Sequence, residues 1–217
     1  MPVQPIDEAR LRAAVDVLAL ADPDLATVVD RHGLPPLWPR EPGFETLVRI
    51  ILEQQVTLSS GEAAMLRLER AAGGLDPKDL VRLGEDGARS AGLTRQKARY
   101  VVALAQAVLE RSLDLAAVAT APDDAARAIL RTVPGVGPWT VDVYLLMALR
   151  RPDAWPAADL ALAASAQFVK RLPYRPGPIE LDLLAEAWRP WRAVAARLLW
   201  HSYLCGDRPA PQRRRVS

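Results

Sequence analysis

The chain contains very little cysteine and histidine. Its 217 residues include one cysteine, Cys205, and two histidines, His32 and His201. These numbers exclude an internal disulfide framework, an iron–sulfur cluster and a metal site built from several thiolates or imidazoles. No stretch reaches the ~18 uncharged apolar residues of a membrane helix, and the first ten residues lack the basic start of a signal peptide. We therefore expect a soluble intracellular protein with no membrane partner and no metal.

An excess of charge of either sign is also missing, which by itself argues against a nucleic-acid partner. Lys and Arg number 28 against 26 Asp and Glu, a formal charge of +2. The distribution is uneven, however, because residues 1–30 carry six acids and two bases, whereas residues 187–217 carry seven Arg and one acid. A further basic cluster comprises Arg89, Arg95, Lys97 and Arg99. Such separation favours a phosphate-binding surface.

Sustained two-residue alternation and hairpin turns between β-branched runs are absent, which argues against a sheet. Apolar residues recur instead with helical spacing. A one-sided helix is predicted between Thr94 and Ser112 with Thr94 as its cap, and Phe44 begins an apolar helix. Ser59 is expected to cap another helix, which Gly73 stops. We predict an all-α protein of roughly nine to eleven short helices.

The N-terminal forty residues are less regular than the rest of the chain. Between Ala21 and Phe44 the chain is interrupted by five prolines, namely Pro23, Pro35, Pro36, Pro39 and Pro42. We predict that residues 1–43 form an arm packed on a helical core of residues 44–207. Residues 208–217 are predicted to form a basic, disordered tail.

A tight turn is predicted at residues 133–138, within Leu-Arg-Thr-Val-Pro-Gly-Val-Gly-Pro-Trp-Thr-Val. Pro134 ends one helix, Gly135 and Gly137 permit positive φ, and Pro138 suits the first turn of the next helix. The backbone amides of such a turn, together with the positive end of the second helix, can hold a phosphate. A simple helix–helix connection is the alternative interpretation of a Gly-x-Gly alone.

This hairpin resembles that of the helix-hairpin-helix DNA glycosylases, and Gly-Pro-Trp-Thr at 137–140 is typical of the AlkA-type 3-methyladenine DNA glycosylase II. About twenty residues later, Trp-Pro-Ala-Ala-Asp-Leu at 155–160 is similar to the family's loop with a catalytic Asp. Residues 51–57 resemble the family's wedge segment. The resemblance extends from about residue 44 to residue 203 and includes two further stretches, 93–98 and 188–192.

The resemblance implies an all-α helix-hairpin-helix glycosylase fold, with two packed helical subdomains and an active-site cleft between them. It also implies that Asp159 is the catalytic residue and that Trp139 and Trp200 form walls of the base pocket. The implied DNA-binding residues are Gln54, Gln55, Val133, Gly135, Val136, Gly137 and Thr140. Without the resemblance, Asp159 would be a helix N-cap, Trp139 a core residue and the glutamines surface amides.

The implied activity is that of a monofunctional DNA glycosylase, which flips alkylated bases such as 3-methyladenine out of duplex DNA and hydrolyses their N-glycosidic bond in base excision repair. Relatives that also cleave the strand carry a Lys where this chain has Trp139, and Trp has no amine to form a Schiff base. No cofactor is required, although the resemblance allows a monovalent cation at the hairpin carbonyls. We expect a cytoplasmic, nucleoid-associated monomer.

Two other hypotheses remain open at this point. A non-catalytic binder of damaged or unusual DNA structure would keep the hairpin, and it fits the absence of the family's usual basic residue among Ala161, Ala163 and Ala164. A glycosylase for oxidised or mispaired bases is the third hypothesis. The sequence also departs from the family near Val143, where the best-known relatives have a pocket aromatic.

Overall fold

In the computed structural model, residues 4–207 are described, and they form helices joined by loops, with no strand among them. The helices in chain order are α1 (Glu8–Ala21), α2 (Pro23–His32), α3 (Phe44–Glu53), α4 (Leu58–Ala72), α5 (Pro77–Ser90), α6 (Arg95–Leu109), α7 (Leu115–Thr120), α8 (Asp123–Leu130), α9 (Pro138–Met147), α10 (Leu160–Val169), α11 (Pro178–Ala185) and α12 (Arg192–Leu204). A 3-10 turn, Glu186–Trp188, follows α11.

The all-α class is thus confirmed. Within the described part of the chain there are twelve α-helices, slightly more than the predicted nine to eleven. None of these helices is both long and apolar enough to span a bilayer. The predicted basic tail, residues 208–217, lies outside the described residues.

The described residues divide into two compact units. The central unit contains residues 39–149 and therefore helices α3 to α9. The terminal unit joins residues 4–38 to residues 150–207, which brings α1 and α2 together with α10, α11 and α12. The helical hairpin motif lies in the central unit, whereas Asp159 lies in the terminal unit.

Local signals in the sequence place several helix ends correctly. The Thr94 side chain accepts a hydrogen bond from the Lys97 amide, 3.2 Å away, and caps α6. Gly73 ends α4 in the left-handed conformation, with φ 77°. Helix α3 begins at Phe44. Each of these ends depends on contacts within a few residues, which is the range over which sequence patterns are informative.

One other prediction is wrong. The cap of α4 is Thr57, whose side chain accepts a hydrogen bond from the Ser60 amide at 3.2 Å, so Ser59 lies inside the helix. The break predicted at Pro23 is present, because α1 ends at Ala21, Asp22 is extended, and Pro23 occupies the first turn of α2, where a missing N–H costs nothing. Asp22 caps that helix from the preceding position.

The central unit is organised around α3 and α9, which pack against each other. Leu47 and Ile51 in α3 and Tyr144 in α9 are fully buried, and burying a large aliphatic side chain such as Leu or Ile stabilises a fold by about 1.5–3 kcal/mol. The Tyr144 hydroxyl accepts a hydrogen bond from the Gly43 amide at 3.0 Å, immediately before α3. These contacts hold the start of α3 and the body of α9 in a fixed relation.

The terminal unit contains a buried polar network centred on Asp22. Its Oδ1 caps α2 by accepting from the amides of Asp24 and Leu25, and Lys170 Nζ donates to the same oxygen at 2.9 Å. The indole Nε1 of Trp188 donates to Asp22 Oδ2 at 2.8 Å. One carboxylate therefore joins α2 to the end of α10 and to the 3-10 turn, which are far apart in sequence.

Replacing Asp22 with Ala should destabilise the protein by about 2 kcal/mol, because it removes a helix cap and the acceptor of the Trp188 indole and leaves Lys170 paired with Asp24 alone. Urea unfolding followed by circular dichroism measures this change. Asp16→Ala, at an exposed position of α1, is the matched control and should change stability by less than about 0.5 kcal/mol. Equal effects of the two substitutions would contradict the role given to Asp22.

The Asp22 network should also make stability depend on pH. Burial alone raises the pKa of Asp22, but hydrogen bonds from Lys170 and Trp188 and the Lys170 charge outweigh it, so the pKa lies below its ordinary value. A carboxylate with a lowered folded-state pKa stabilises the fold above its unfolded pKa, and that contribution is lost as pH falls through the folded value. We expect wild type, but not Asp22→Ala, to lose this stability below about pH 4 in urea titrations.

Candidate functional site

The predicted hairpin is present between α8, which ends at Leu130, and α9, which begins at Pro138. Gly135 has φ +87°, in the left-handed region. A Cβ atom at this position would lie 2.2 Å from Cγ of the Tyr100 ring, so any side chain would overlap with α6. The hairpin is closed by a hydrogen bond from the Val136 amide to the Val133 carbonyl, 3.1 Å away.

The polar groups that the hairpin offers to a ligand are those of its backbone, since the side chains of Val133 and Val136 are buried and the exposed side chains of Pro134 and Pro138 are apolar. The first hydrogen bond within α9 runs from the Val141 amide to the Gly137 carbonyl at 3.0 Å, so the amides before it form the positive end of the helix. This is the arrangement that binds phosphate in other proteins. DNA contacts by Val133, Gly135, Val136, Gly137 and Thr140 remain predictions.

The wedge segment makes direct contact with the hairpin. Gln54 Nε2 donates to the Gly135 carbonyl at 2.9 Å and lies 2.8 Å from Thr140 Oγ1. Gln55, the next residue, is exposed and has φ 57°. The structure therefore brings Gln54 together with two of the predicted DNA-binding residues, while Gln55 faces solvent.

Residues that the sequence analysis missed support this segment. Arg40 makes a two-point salt bridge with Glu53, with N–O distances of 2.8 and 3.0 Å. Lys97 Nζ donates to the Leu52 carbonyl at 2.7 Å, near the end of α3, and burial lowers its pKa. The sequence analysis placed Lys97 in a basic cluster that favours phosphate binding, whereas in the structure its ammonium binds the backbone near the end of α3. No local pattern links Arg40 to Glu53, which explains why this pair was not predicted.

Asp159 lies at the N-cap of α10, half-buried. Its Oδ1 accepts hydrogen bonds from the amides of Ala161 and Leu162, both at 2.9 Å, and from Trp200 Nε1 at 3.1 Å. The two interpretations of Asp159, as helix cap and as catalytic carboxylate, are compatible in this geometry. Three donors converge on one oxygen and fix the orientation of the carboxylate.

The predicted pocket aromatics lie in different units. Trp139 is a half-buried residue in the first turn of α9, in the central unit, whereas Trp200 belongs to the terminal unit and contacts Asp159. Val143, where the relatives have a further aromatic, is buried. Its neighbour Tyr144 is fully buried and turned toward Gly43, so it does not replace that aromatic.

The sequence profile of the HhH-GPD superfamily of base excision DNA repair proteins matches residues 48–190. The chain belongs to this superfamily. The matched range contains the wedge segment, the hairpin and Asp159, whereas Trp200 lies beyond it.

Among curated proteins, the chain is 32% identical over 204 residues to a probable bifunctional transcriptional activator/DNA repair enzyme AlkA of Mycobacterium tuberculosis, covering 89% of this chain and 40% of that protein. DNA-3-methyladenine glycosylase 2 of Escherichia coli is 28% identical over 172 residues, covering 73% of this chain and 57% of that protein. The chain thus spans about half the length of these relatives, or less.

Solved structures confirm the predicted helix-hairpin-helix glycosylase fold. The 3-methyladenine DNA glycosylase Mag1 of Schizosaccharomyces pombe, in complex with abasic DNA, has a TM-score of 0.80 at 21% identity and covers 91% of this chain and 100% of its own. A DNA-3-methyladenine glycosidase from Bacillus halodurans has a TM-score of 0.75 at 25% identity, covering 94% of this chain and 93% of its own.

The three described arginines near the C-terminus of this HhH-GPD protein, at 189, 192 and 197, are paired or buried and do not form a free basic surface. Arg189 and Arg192 both pair with Asp153 and Glu186. Arg197 is fully buried, and burial, with Arg150 nearby, lowers its pKa to about 10. The remaining C-terminal arginines lie outside the described residues.

The two histidines, distant in sequence, are neighbours in the terminal unit, with ring centroids 6.0 Å apart. His32 Nε2 lies 2.7 Å from Asp207 Oδ2, and His201 Nε2 lies 3.0 Å from the His32 carbonyl oxygen. Each imidazole therefore has a structural partner. Within residues 4–207, no group of three or more His, Cys, Asp and Glu side chains could hold a metal ion.

Gly135→Ala should destabilise the central unit by about 3 kcal/mol, because the left-handed conformation costs a side chain about 1–2 kcal/mol and the overlap with Tyr100 adds a similar amount. Gly137→Ala is the matched control. Gly137 has φ −82°, and a Cβ there would meet nothing within 4 Å. Thermal unfolding of both variants measures the difference, and a stable Gly135→Ala protein would show that the hairpin adopts another conformation.

Proposed function

We propose that this chain is a DNA glycosylase that excises alkylated bases, such as 3-methyladenine, from duplex DNA in base excision repair. The observation that carries the proposal is the carboxylate of Asp159, oriented by three donors at the start of α10 in a member of the HhH-GPD superfamily. The names of the E. coli relative and of the two glycosylases of similar fold support alkylated bases as the substrate class.

A base inside a duplex is inaccessible, so the damaged nucleotide must be flipped out at a cost of a few kcal/mol. Gln55 is the wedge in this proposal, because the resemblance assigns it that role and because its side chain, unlike that of Gln54, is exposed and could fill the gap in the stack. Trp139 and Trp200 each offer an aromatic face, and stacking on such a face contributes about 1–3 kcal/mol per base. These interactions offset the cost of flipping.

Cleavage of the bond between C1′ and the base nitrogen then places positive charge on the sugar. The Asp159 carboxylate would stabilise that oxocarbenium character and orient or deprotonate the attacking water, as carboxylates do in glycoside hydrolysis. An alkylated purine carries positive charge, which strengthens its attraction to an aromatic face and makes it a good leaving group. The products are a free base and an abasic site.

The reaction proposed is hydrolysis without strand cleavage. Trp139 supports this proposal. By the resemblance, strand-cleaving members carry a Lys at the matching position, whereas the indole of Trp139 has no amine that could form a Schiff base. A glycosylase of oxidised bases that works through such a Lys is therefore not favoured. A non-catalytic DNA binder is also not favoured, because the relatives of similar sequence and fold are named as glycosylases.

Duplex DNA is the proposed partner, bound by a monomer at the cytoplasmic nucleoid. Backbone carbonyl oxygens, such as those of the hairpin, are ligands that monovalent cations bind in proteins. The carbonyls of Val133 and Gly135 already accept hydrogen bonds from Val136 and Gln54, and each carbonyl oxygen has a second lone pair. A bound cation would add positive charge beside the hairpin amides. No other cofactor enters the proposal.

Asp159→Asn tests the proposal. Asparagine keeps an oxygen that can cap α10, so folding should be preserved, while the loss of negative charge should lower base release about a thousandfold or more. The measurement is single-turnover release of free base from methylated duplex DNA, quantified by chromatography. Binding of a duplex with a tetrahydrofuran abasic analogue should change by less than about threefold, because phosphate and wedge contacts remain.

Asp182→Asn, the same substitution at an exposed position of α11, is the control and should release base at the wild-type rate. Oxidised and deaminated duplexes, assayed in parallel, distinguish the proposed substrate class from the alternatives. Turnover of methylated DNA by Asp159→Asn would remove Asp159 from the mechanism. Absence of any base release by wild type would favour the non-catalytic binder.

A further inference from the structure

The loop between α3 and α4, residues 54–57, is called here the wedge loop. Its Gln55 adopts φ 57°, a left-handed conformation that is unfavourable for a residue with a side chain, and is exposed to solvent. Such conformations persist where surrounding contacts determine the backbone. The contacts that hold this loop therefore also control where Gln55 points.

Three side chains hold the wedge loop and the end of α3 before it. Arg40 binds the Glu53 carboxylate, and Lys97 donates to the Leu52 carbonyl, so both act on the last turn of α3. Gln54 is different, because it extends from the loop to the hairpin and binds Gly135 and Thr140. Of these three, only Gln54 joins the wedge loop to the hairpin.

The Gln54 amide nitrogen is fully used by these contacts. A primary amide has two N–H donors, and here one is directed to the Gly135 carbonyl at 2.9 Å and the other to Thr140 Oγ1 at 2.8 Å. The opposite amide orientation would place two oxygens against each other at the Gly135 carbonyl. Thr140 is itself 1% exposed, so its hydroxyl is fixed in the interior of the central unit.

We infer that Gln54 is a positioning residue that couples the wedge loop to the hairpin, rather than a residue that binds DNA through its amide nitrogen. This coupling fixes the distance between two points: the phosphate that the hairpin amides hold, and the side chain of Gln55. Insertion of Gln55 then follows from phosphate binding without a search by a mobile loop. The inference rests on the proposed function, in which insertion of Gln55 accompanies the flipping of the damaged nucleotide.

Gln54→Leu tests the coupling, because leucine keeps an apolar stem of similar length and loses both donors. The probe is a duplex with a tetrahydrofuran abasic analogue opposite 2-aminopurine, whose fluorescence changes when a side chain enters the stack. At saturating protein we expect wild type to change the fluorescence and Gln54→Leu to give at most about one fifth of that amplitude. Gln106→Leu, the same change at an exposed position of α6, should behave as wild type.

Thr140→Val and Thr140→Ser provide a second pair that does not alter the wedge loop. Valine is nearly isosteric but lacks the acceptor, so it should reduce the fluorescence amplitude, whereas serine keeps the hydroxyl and should restore it. Single-turnover base release distinguishes coupling from a structural defect. For Gln54→Leu, the rate should fall about tenfold when the lesion lies opposite a normal base. It should fall less than about twofold when the lesion lies opposite an abasic analogue, because no base pair then has to be broken. A merely structural defect would lower both rates equally.

Full fluorescence amplitude with Gln54→Leu at saturation would overturn the inference, as would equal behaviour of Thr140→Val and Thr140→Ser in a folded protein. No fluorescence change with wild type would also overturn it. If wild type changes the fluorescence but releases no base, the proposed function fails while the amplitude comparison still decides the role of Gln54.

Discussion

The left-handed turn at Gly135 is the constraint on which the candidate DNA-binding segments of the central unit depend. The Tyr100 ring fills the space that a Cβ would occupy, which brings α6 against the hairpin backbone. The carbonyl oxygen of Gly135 accepts a hydrogen bond from the Gln54 side-chain amide, which brings the end of α3 to the hairpin. The absence of a side chain at Gly135 thus allows α3, α6 and the hairpin to converge. In the proposed function Gly135 acts indirectly, because it sets the arrangement of the neighbouring backbone amides.

Charge in this protein stabilises the fold at many of the positions where composition suggested a role in DNA binding. Three of the six acids of the N-terminal segment cap helices or pair with bases: Asp7 caps α1, Asp22 pairs with Lys170 and Asp24 pairs with Arg171. Arg189 and Arg192 are likewise paired. Among the described residues, such pairing reduces the separation of acidic and basic charge that composition suggested. The proposed binding of phosphate is therefore assigned to oriented amides and helix ends rather than to these side chains.

The limits of prediction from this sequence follow from the range of each interaction. The cap at Thr94 and the hairpin around Gly135 were predicted because their determinants lie within a few residues. Ser59 was wrongly assigned, since two hydroxyl residues near one helix start have similar local signals and only the backbone path selects Thr57. The partners of Asp22, at positions 170 and 188, could not be predicted because no local pattern encodes them. The family resemblance identified Asp159, whereas its bond to Trp200 required the fold.

The two adjacent glutamines illustrate how a fold separates residues that look equivalent in sequence. Gln54 has both amide N–H donors satisfied within the central unit, so its amide nitrogen has no donor left for DNA. Gln55 is exposed and held in a conformation that costs about 1–2 kcal/mol. That cost is tolerated because Arg40 and Lys97 fix the chain just before it. The strain in the Gln55 backbone is thus supported by residues to which the proposed function assigns no chemistry of their own.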